Sequence, residues 1–109
     1  MTKKTATKIY GVLGYPAKHS FSPVMHNAAF KALKINAEYK IFEIPPAKLN
    51  RFLGKLPDKI AGCNVTIPHK IAAYNFISKN GILTEEAKKI GAVNTITVKK
   101  SRLIGDNTD

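Results

Sequence analysis

Apolar and polar positions follow two rhythms along this chain, and the rhythm switches several times. Residues 9–13 form a short, β-rich, mostly apolar run that ends at Gly14-Tyr15-Pro16, the pattern of a buried strand closed by a turn. Ser22-Pro23 follows: serine is a good N-cap and proline is favoured at the first helical position. Met25, Ala28, Ala29, Ala32 and Leu33 then recur at spacings of three and four, which predicts a helix fading near Asn36. Residues 38–44 alternate like a strand, with Tyr39 and Ile41 on one side, Phe42 and Ile44 on the other, and Pro45-Pro46 as the stop. Residues 47–56 predict a short helix with Leu49, Phe52, Leu53 and Leu56 inward. Residues 60–66 predict a third strand, and Pro68 a third helix carrying Ile71, Ala72, Tyr74 and Asn75. Residues 84–90 predict another helix, with Glu85 and Glu86 in its first turn and Lys88 and Lys89 in its last, matching the helix dipole. Residues 93–98 and 102–104 predict a hairpin around Lys99-Lys100-Ser101.

This β-α-β-α-β-α succession predicts a three-layer α/β domain: a mainly parallel twisted sheet flanked by helices, with an antiparallel C-terminal hairpin. A chain of 109 residues fits one domain. It has no internal repeat, linker or low-complexity tract. It stops at Asp109, on the edge of a polar motif, which predicts a piece of a longer protein.

Composition narrows the function classes. Cys63 is the sole cysteine, so no internal disulfide forms, and Cys63 with His19, His26 and His69 gives no zinc spacing. No apolar run approaches the ~20 residues that span a bilayer, and no secretory signal is evident after the basic N-terminus. A reducing cytoplasm is the expected compartment. The net charge of +11 raises the nucleic-acid question. However, the cations are almost all scattered lysines, with Arg51 and Arg102 the only arginines. Base readout leans on arginine forks and clustered stripes. A solvated lysine surface, or attraction for small anions, fits better than a nucleic-acid site.

In an open parallel sheet, ligands sit beyond the carboxyl ends of the strands, and the polar residues of interest fall there. In an extended stretch Ser20 and Ser22 point to the same side, so their hydroxyls, beside a helix N-terminus, could cradle a carboxylate; plain helix capping by Ser22 is the compatible alternative. Asn64 and Thr66 share a face while Val65 points inward. Lys70 falls in the first turn of the next helix, where the dipole disfavours a cation and should draw its pKa down, as suits a proton-exchanging lysine; one more surface lysine is the alternative. Asn94, in Gly91-Ala92-Val93-Asn94-Thr95, could reach the same edge or simply satisfy a turn. Asp109, closing Gly105-Asp106-Asn107-Thr108-Asp109, could pair with Lys70 or belong to a polar turn. His19 and His26 read as structural hydrogen-bonders and Cys63 as a small core residue. Gly11 and Gly14 are three apart but followed by Pro16, so there is no G-x-G-x-x-G and no pyrophosphate cradle.

Four segments in register, residues 14–27, 64–70, 91–95 and 105–109, resemble the shikimate dehydrogenase family, and the resemblance runs from about Lys8 to Asp109. It implies that residues 1–109 are the substrate-binding catalytic domain of an enzyme that reduces 3-dehydroshikimate to shikimate with NADPH, on the route to chorismate and aromatic amino acids. It implies that Ser20 and Ser22 bind the substrate carboxylate, that Asn64, Thr66, Asn94 and Asp109 hold ring hydroxyls, and that Lys70 and Asp109 are the catalytic pair. NADP would bind a Rossmann domain not in this chain, which alone should be inactive. His69 stands where the family accepts various residues, and Lys100-Ser101 replaces the commoner Asp-Gly or Asn-Gly turn. A quinate/shikimate enzyme and a non-catalytic shikimate-binding module are the alternatives. Expected partners are the small-molecule substrate and, in the parent protein, a second copy forming a homodimer, with no nucleic acid, membrane or metal.

Overall fold

The computed structural model describes residues 7–17 and 22–109. The chain runs β1 (Lys8–Gly14), α1 (Ser22–Ala32), β2 (Ala37–Glu43), α2 (Leu49–Lys55), β3 (Gly62–Val65), α3 (Lys70–Asn80), β4 (Ile82–Leu83), α4 (Glu85–Ile90), β5 (Thr95–Lys99) and β6 (Arg102–Asp106). Single 3-10 turns, Pro46–Lys48 and Leu56–Asp58, flank α2. Among the described residues the strands form one sheet in the order β2-β1-β3-β5-β6-β4. β1 pairs in parallel with β2 and β3, β5 runs antiparallel to β3 and β6, and the two-residue β4 adds in parallel to β6. The expected α/β architecture, a largely parallel sheet with a C-terminal antiparallel hairpin, is therefore present.

The core gathers on the face of the sheet under α2 and α3. Leu49, Leu53 and Leu56 from the α2 region meet Leu13, Val65, Ile77, Val93 and Ile96, all buried. Leu49, Leu53 and Leu56 are three to four residues apart, so they form one stripe. In α3 the buried stripe is Ala73 and Ile77, whereas Ile71 is 64% exposed and Ala72 is also on the surface. α3 begins at Lys70, not Pro68: His69 N–H donates to Thr66 O at 3.0 Å, closing a turn through Pro68 before the helix starts.

The opposite face is covered differently. α1 lies over β2 and β1, yet none of its residues is buried, and Met25 and Leu33 of the periodic face are each 68% exposed. What fastens α1 is polar and aromatic. Asn27 accepts from Tyr39 N–H at 2.8 Å and donates to Tyr39 O at 3.0 Å. His26 stacks on Tyr39 with ring centroids 4.2 Å apart. The helix ends early, with Lys34 in the left-handed region at φ 56°. Thr84 caps α4 by accepting from Ala87 N–H at 3.2 Å. None of the helices is long and apolar enough to cross a membrane, among the described residues.

Candidate active site

The chain passes from β1 through α1 to β2 on one side, then crosses back to β3 on the other side of β1. That reversal leaves a crevice beyond the carboxyl ends of β1 and β3, the place where open α/β sheets bind ligands. A cavity of about 490 Å³ sits there, lined by Val12, Pro16, Ala17, Ser22, Asn64, Thr66 and Ile67. Three of the residues singled out by spacing, Ser22, Asn64 and Thr66, thus share one wall. Alternation in β3 explains the last two: Val65 is 3% exposed and faces the core, so Asn64 and Thr66 face the cavity side. Ser20 and His19 lie outside the described residues.

The loop after β1 is held tightly. Thr66 N–H donates to Leu13 O at 2.9 Å and Tyr15 N–H to Ile67 O at 3.1 Å. Ala17 N–H donates to the Glu43 carboxylate at 2.8 Å, tying the loop to the end of β2. Gly14 permits this approach, since a Cβ there would stand 2.4 Å from Thr66 Cγ2. Gly11 is likewise closed in: its Cβ would lie 2.5 Å from Lys40 O. Both glycines serve close strand packing.

Sheet register brings the other segments to the same rim. Asn64 pairs with Thr95, and Thr95 with Asp106, so the start of β5 and the end of β6 align with the end of β3. Val93 N–H donates to Lys70 O at 2.9 Å, and Val65 N–H to Asn94 O at 2.7 Å. The backbones of Lys70, Asn94 and the 106–109 segment therefore converge there. The Asn94 side chain is engaged: its Oδ1 accepts from Thr108 N–H at 3.1 Å and from Thr95 Oγ1 at 2.9 Å, and its Nδ2 donates to Thr108 Oγ1 at 3.1 Å. It fastens the exit of β6, which leads to Asp109. Asn107, buried, accepts from Asp109 N–H at 3.0 Å and donates to Ala92 O at 3.1 Å. Lys70 and Asp109 do not form a contact ion pair; the one such pair among the described residues is Lys88–Glu85 at 3.5 Å.

Two residues at the site were not singled out by sequence. Tyr39, on β2 and 4% exposed, donates from Oη to Asn64 Oδ1 at 2.7 Å. That bond fixes which end of the Asn64 carboxamide is free to act as a donor. Burial, together with the nearby Cys63, pushes the Tyr39 phenol up to about 12, against the opposing pull of a hydrogen bond from Ser22. Ser22, Tyr39 and Asn64 thus form one polar chain across α1, β2 and β3. The phenol's alternating position in β2 was visible, but nothing in the sequence marked its partner. His69, 1% exposed, places its Nε2–H on Ile44 O at 2.6 Å. It braces the turn before Lys70 against the end of β2. Cys63 is a buried thiol, pushed up to about 12 by burial alone. No group of three or more potential metal ligands occurs among the described residues.

Comparison with known proteins places this geometry. Residues 12–96 match the family model described as the shikimate dehydrogenase substrate binding domain. A shikimate dehydrogenase (NADP+) of Thermococcus kodakarensis is 51% identical over 104 residues, covering 94% of this chain and 37% of that protein. The crystal structure of shikimate 5-dehydrogenase from Thermus thermophilus in complex with NADP(H) and shikimate superposes with a TM-score of 0.85 at 35% identity, over 94% of this chain and 38% of that one. A shikimate dehydrogenase crystallised with NADP+ gives 0.82 at 44% identity, over 94% of this chain and 35% of that one. The chain spans little more than a third of the relatives it matches, and across that stretch both fold and sequence agree: it belongs to the shikimate dehydrogenase substrate-binding domain family.

Proposed function

We propose that this chain is the substrate half of an NADP-dependent shikimate dehydrogenase that interconverts 3-dehydroshikimate and shikimate. The observation that carries the reading is the shared wall of Ser22, Asn64 and Thr66 in the crevice where the sheet reverses. Hydroxyls and a carboxamide suit a small polyhydroxylated acid, because each can meet a ring hydroxyl, whereas an apolar isostere would leave it unpaired. Ser22, at the α1 N-terminus, binds the substrate carboxylate together with Ser20. Asn64, oriented by Tyr39, and Thr66 hold ring hydroxyls, joined by Asn94 and Asp109 from the C-terminal segments. Lys70 and Asp109 exchange the proton of the reacting oxygen, Lys70 taking it as the hydroxyl becomes a carbonyl and returning it in reduction. Hydride transfer falls to NADP, for which these residues make no cradle. That half of the chemistry is assigned to the part of the relatives' length that this chain does not match. The lone reduced thiol fits a cytoplasmic setting.

The test is shikimate-dependent reduction of NADP+ by the full-length protein that carries this chain. Lys70→Ala lowers kcat by about 10²–10⁴ with thermal unfolding unchanged. Turnover near that of the parent protein would remove Lys70 from the mechanism.

A further inference from the structure

On the face of the sheet opposite α1 lies a second cavity, of about 260 Å³. Its floor is apolar: Phe42 and Ile44 from β2 and its exit, Phe52 and Leu56 from the α2 region, and Ile60. The Phe42 and Phe52 rings meet at 5.4 Å with a 47° tilt and form one wall. Its rim is cationic: Lys48, Arg51, Lys55 and Lys59 all line it, and all four are exposed. Lys48, Arg51 and Lys55 are three and four residues apart, so they stand above one another along one side of the 3-10 turn and α2. Like charges at that spacing repel. Among the described residues none of the four makes an ion pair within 4.0 Å.

A scatter of lysines over a soluble surface needs no such pocket beneath it. Here a ring of unneutralised cations surrounds a hole lined by two phenylalanines and three aliphatic side chains. A dry cavity of about 150 Å³ already accommodates benzene, so 260 Å³ holds one ring or branched apolar body with a short arm. An anionic head on that arm would reach the cations at the rim, where a charge-assisted bond to Arg51 can form. We infer that this cavity is a binding site for a small organic monoanion with an apolar, single-ring body, separate from the substrate crevice. It is nevertheless mechanically continuous with that crevice. Ile44, whose side chain lines the cavity, accepts the His69 bond through its carbonyl and donates its N–H to Gly14 O at 3.2 Å.

The test is an ¹H–¹⁵N NMR titration of the full-length protein that carries this chain with 3-phenylpropionate, its neutral isostere 3-phenylpropanamide, and sulfate at matched ionic strength. The expected result is saturable shifts of the Phe42, Phe52, Lys55 and Ile60 amides with 3-phenylpropionate. The amide should bind about tenfold more weakly or worse, and sulfate should not saturate the same signals. The double variant Arg51→Glu/Lys55→Glu, both exposed positions, should keep a dispersed spectrum and lose at least tenfold in affinity. Equal binding of acid and amide would overturn the proposal. So would unchanged affinity in the double variant, shifts centred on Asn64 and Thr66 in the other crevice, or full competition by sulfate. Concentration-dependent shifts of the same amides without probe would assign the cavity to a second copy of the chain and overturn it as well.

Discussion

Gly14 sits where β1 ends and the loop toward the crevice begins, and adding one methyl there puts the coupling between strand and candidate site to a measurement. An ideal Cβ at Gly14 lies 2.4 Å from Thr66 Cγ2, 3.2 Å from Ile67 O and 3.5 Å from the Ala17 Cβ. Carbon–carbon contacts are comfortable at about 3.5–4.0 Å, so the shortfall against Thr66 exceeds 1 Å. Gly14 does not have a positive φ, so an alanine meets no backbone penalty and the clash is the whole effect. Overpacking of one methylene costs about 1–3 kcal/mol. Taking about 2 kcal/mol, Gly14→Ala lowers Tm by about 8–16 °C in a domain of this size. Thr66→Ser keeps the hydroxyl that faces the crevice and deletes Cγ2, the atom in the way. Urea unfolding of Gly14→Ala, Thr66→Ser and the double variant then forms a cycle. The double variant should recover at least about 1 kcal/mol relative to the sum of the singles. If Gly14→Ala costs under about 0.5 kcal/mol, or the two changes simply add, the close approach is not what holds Thr66 in place.

Three further outcomes follow from the same packing. Cys63 keeps its proton in the folded chain up to about 12 instead of its ordinary 9.0; the unfolded chain releases it above 9.0, so stability falls as pH rises past that value. At pH 10 the loss is about 1.4 kcal/mol, and urea midpoints at pH 8 and 10 should show a smaller drop for Cys63→Ala; equal drops would sink the argument. Tyr39, raised in the same direction from 10.0 to about 12, adds to the loss at still higher pH. Tyr39→Phe costs about 1 kcal/mol and lets the Asn64 carboxamide rotate, moving its side-chain NH₂ NMR signals toward solvent-exposed values; unmoved signals would mean the phenol does not orient it. Lys100 and Ser101 have φ of 50° and 62° between the paired residues Lys99 and Arg102, the two positive angles of a type I′ turn. Replacing them by Asn-Gly should raise stability by about 1–2 kcal/mol, read as a higher Tm, and no gain would contradict the turn assignment.

Much of the site's layout was legible because strands impose a two-residue rhythm. Asn64 and Thr66 could be paired against Val65 from spacing, and the hairpin that returns Asn94 to the rim followed from the turn at Lys100. The α4 boundaries were also readable, since Thr84 and the charge order of Glu85 to Lys89 are local signals. Helix faces were harder. In α1, Met25 and Leu33 share a periodic face that is left exposed, because the contacts that seat the helix are the Asn27 bridge and the His26 stack on Tyr39, neither of which leaves an apolar signature. In α3 the stripe of Ala73 and Ile77 competes with Ile71 and Tyr74 at equally good spacings, and only the position of the sheet decides between them. Two-residue β4 is too short for any pattern. Tyr39 acquires its importance from Asn64, 25 positions away, and no local rule reaches that far.

The shortness of β4 bears on how copies of this chain behave when concentrated. Beyond it the backbone turns at once into α4, so that flank of the sheet presents only a stub to an incoming strand. The other flank, β2, carries exposed Glu38, Lys40 and Glu43. An intruding chain would have to accommodate charge on one side and find almost nothing to hydrogen-bond on the other, so intermolecular ladder growth, the first step toward fibrils, lacks a starting template.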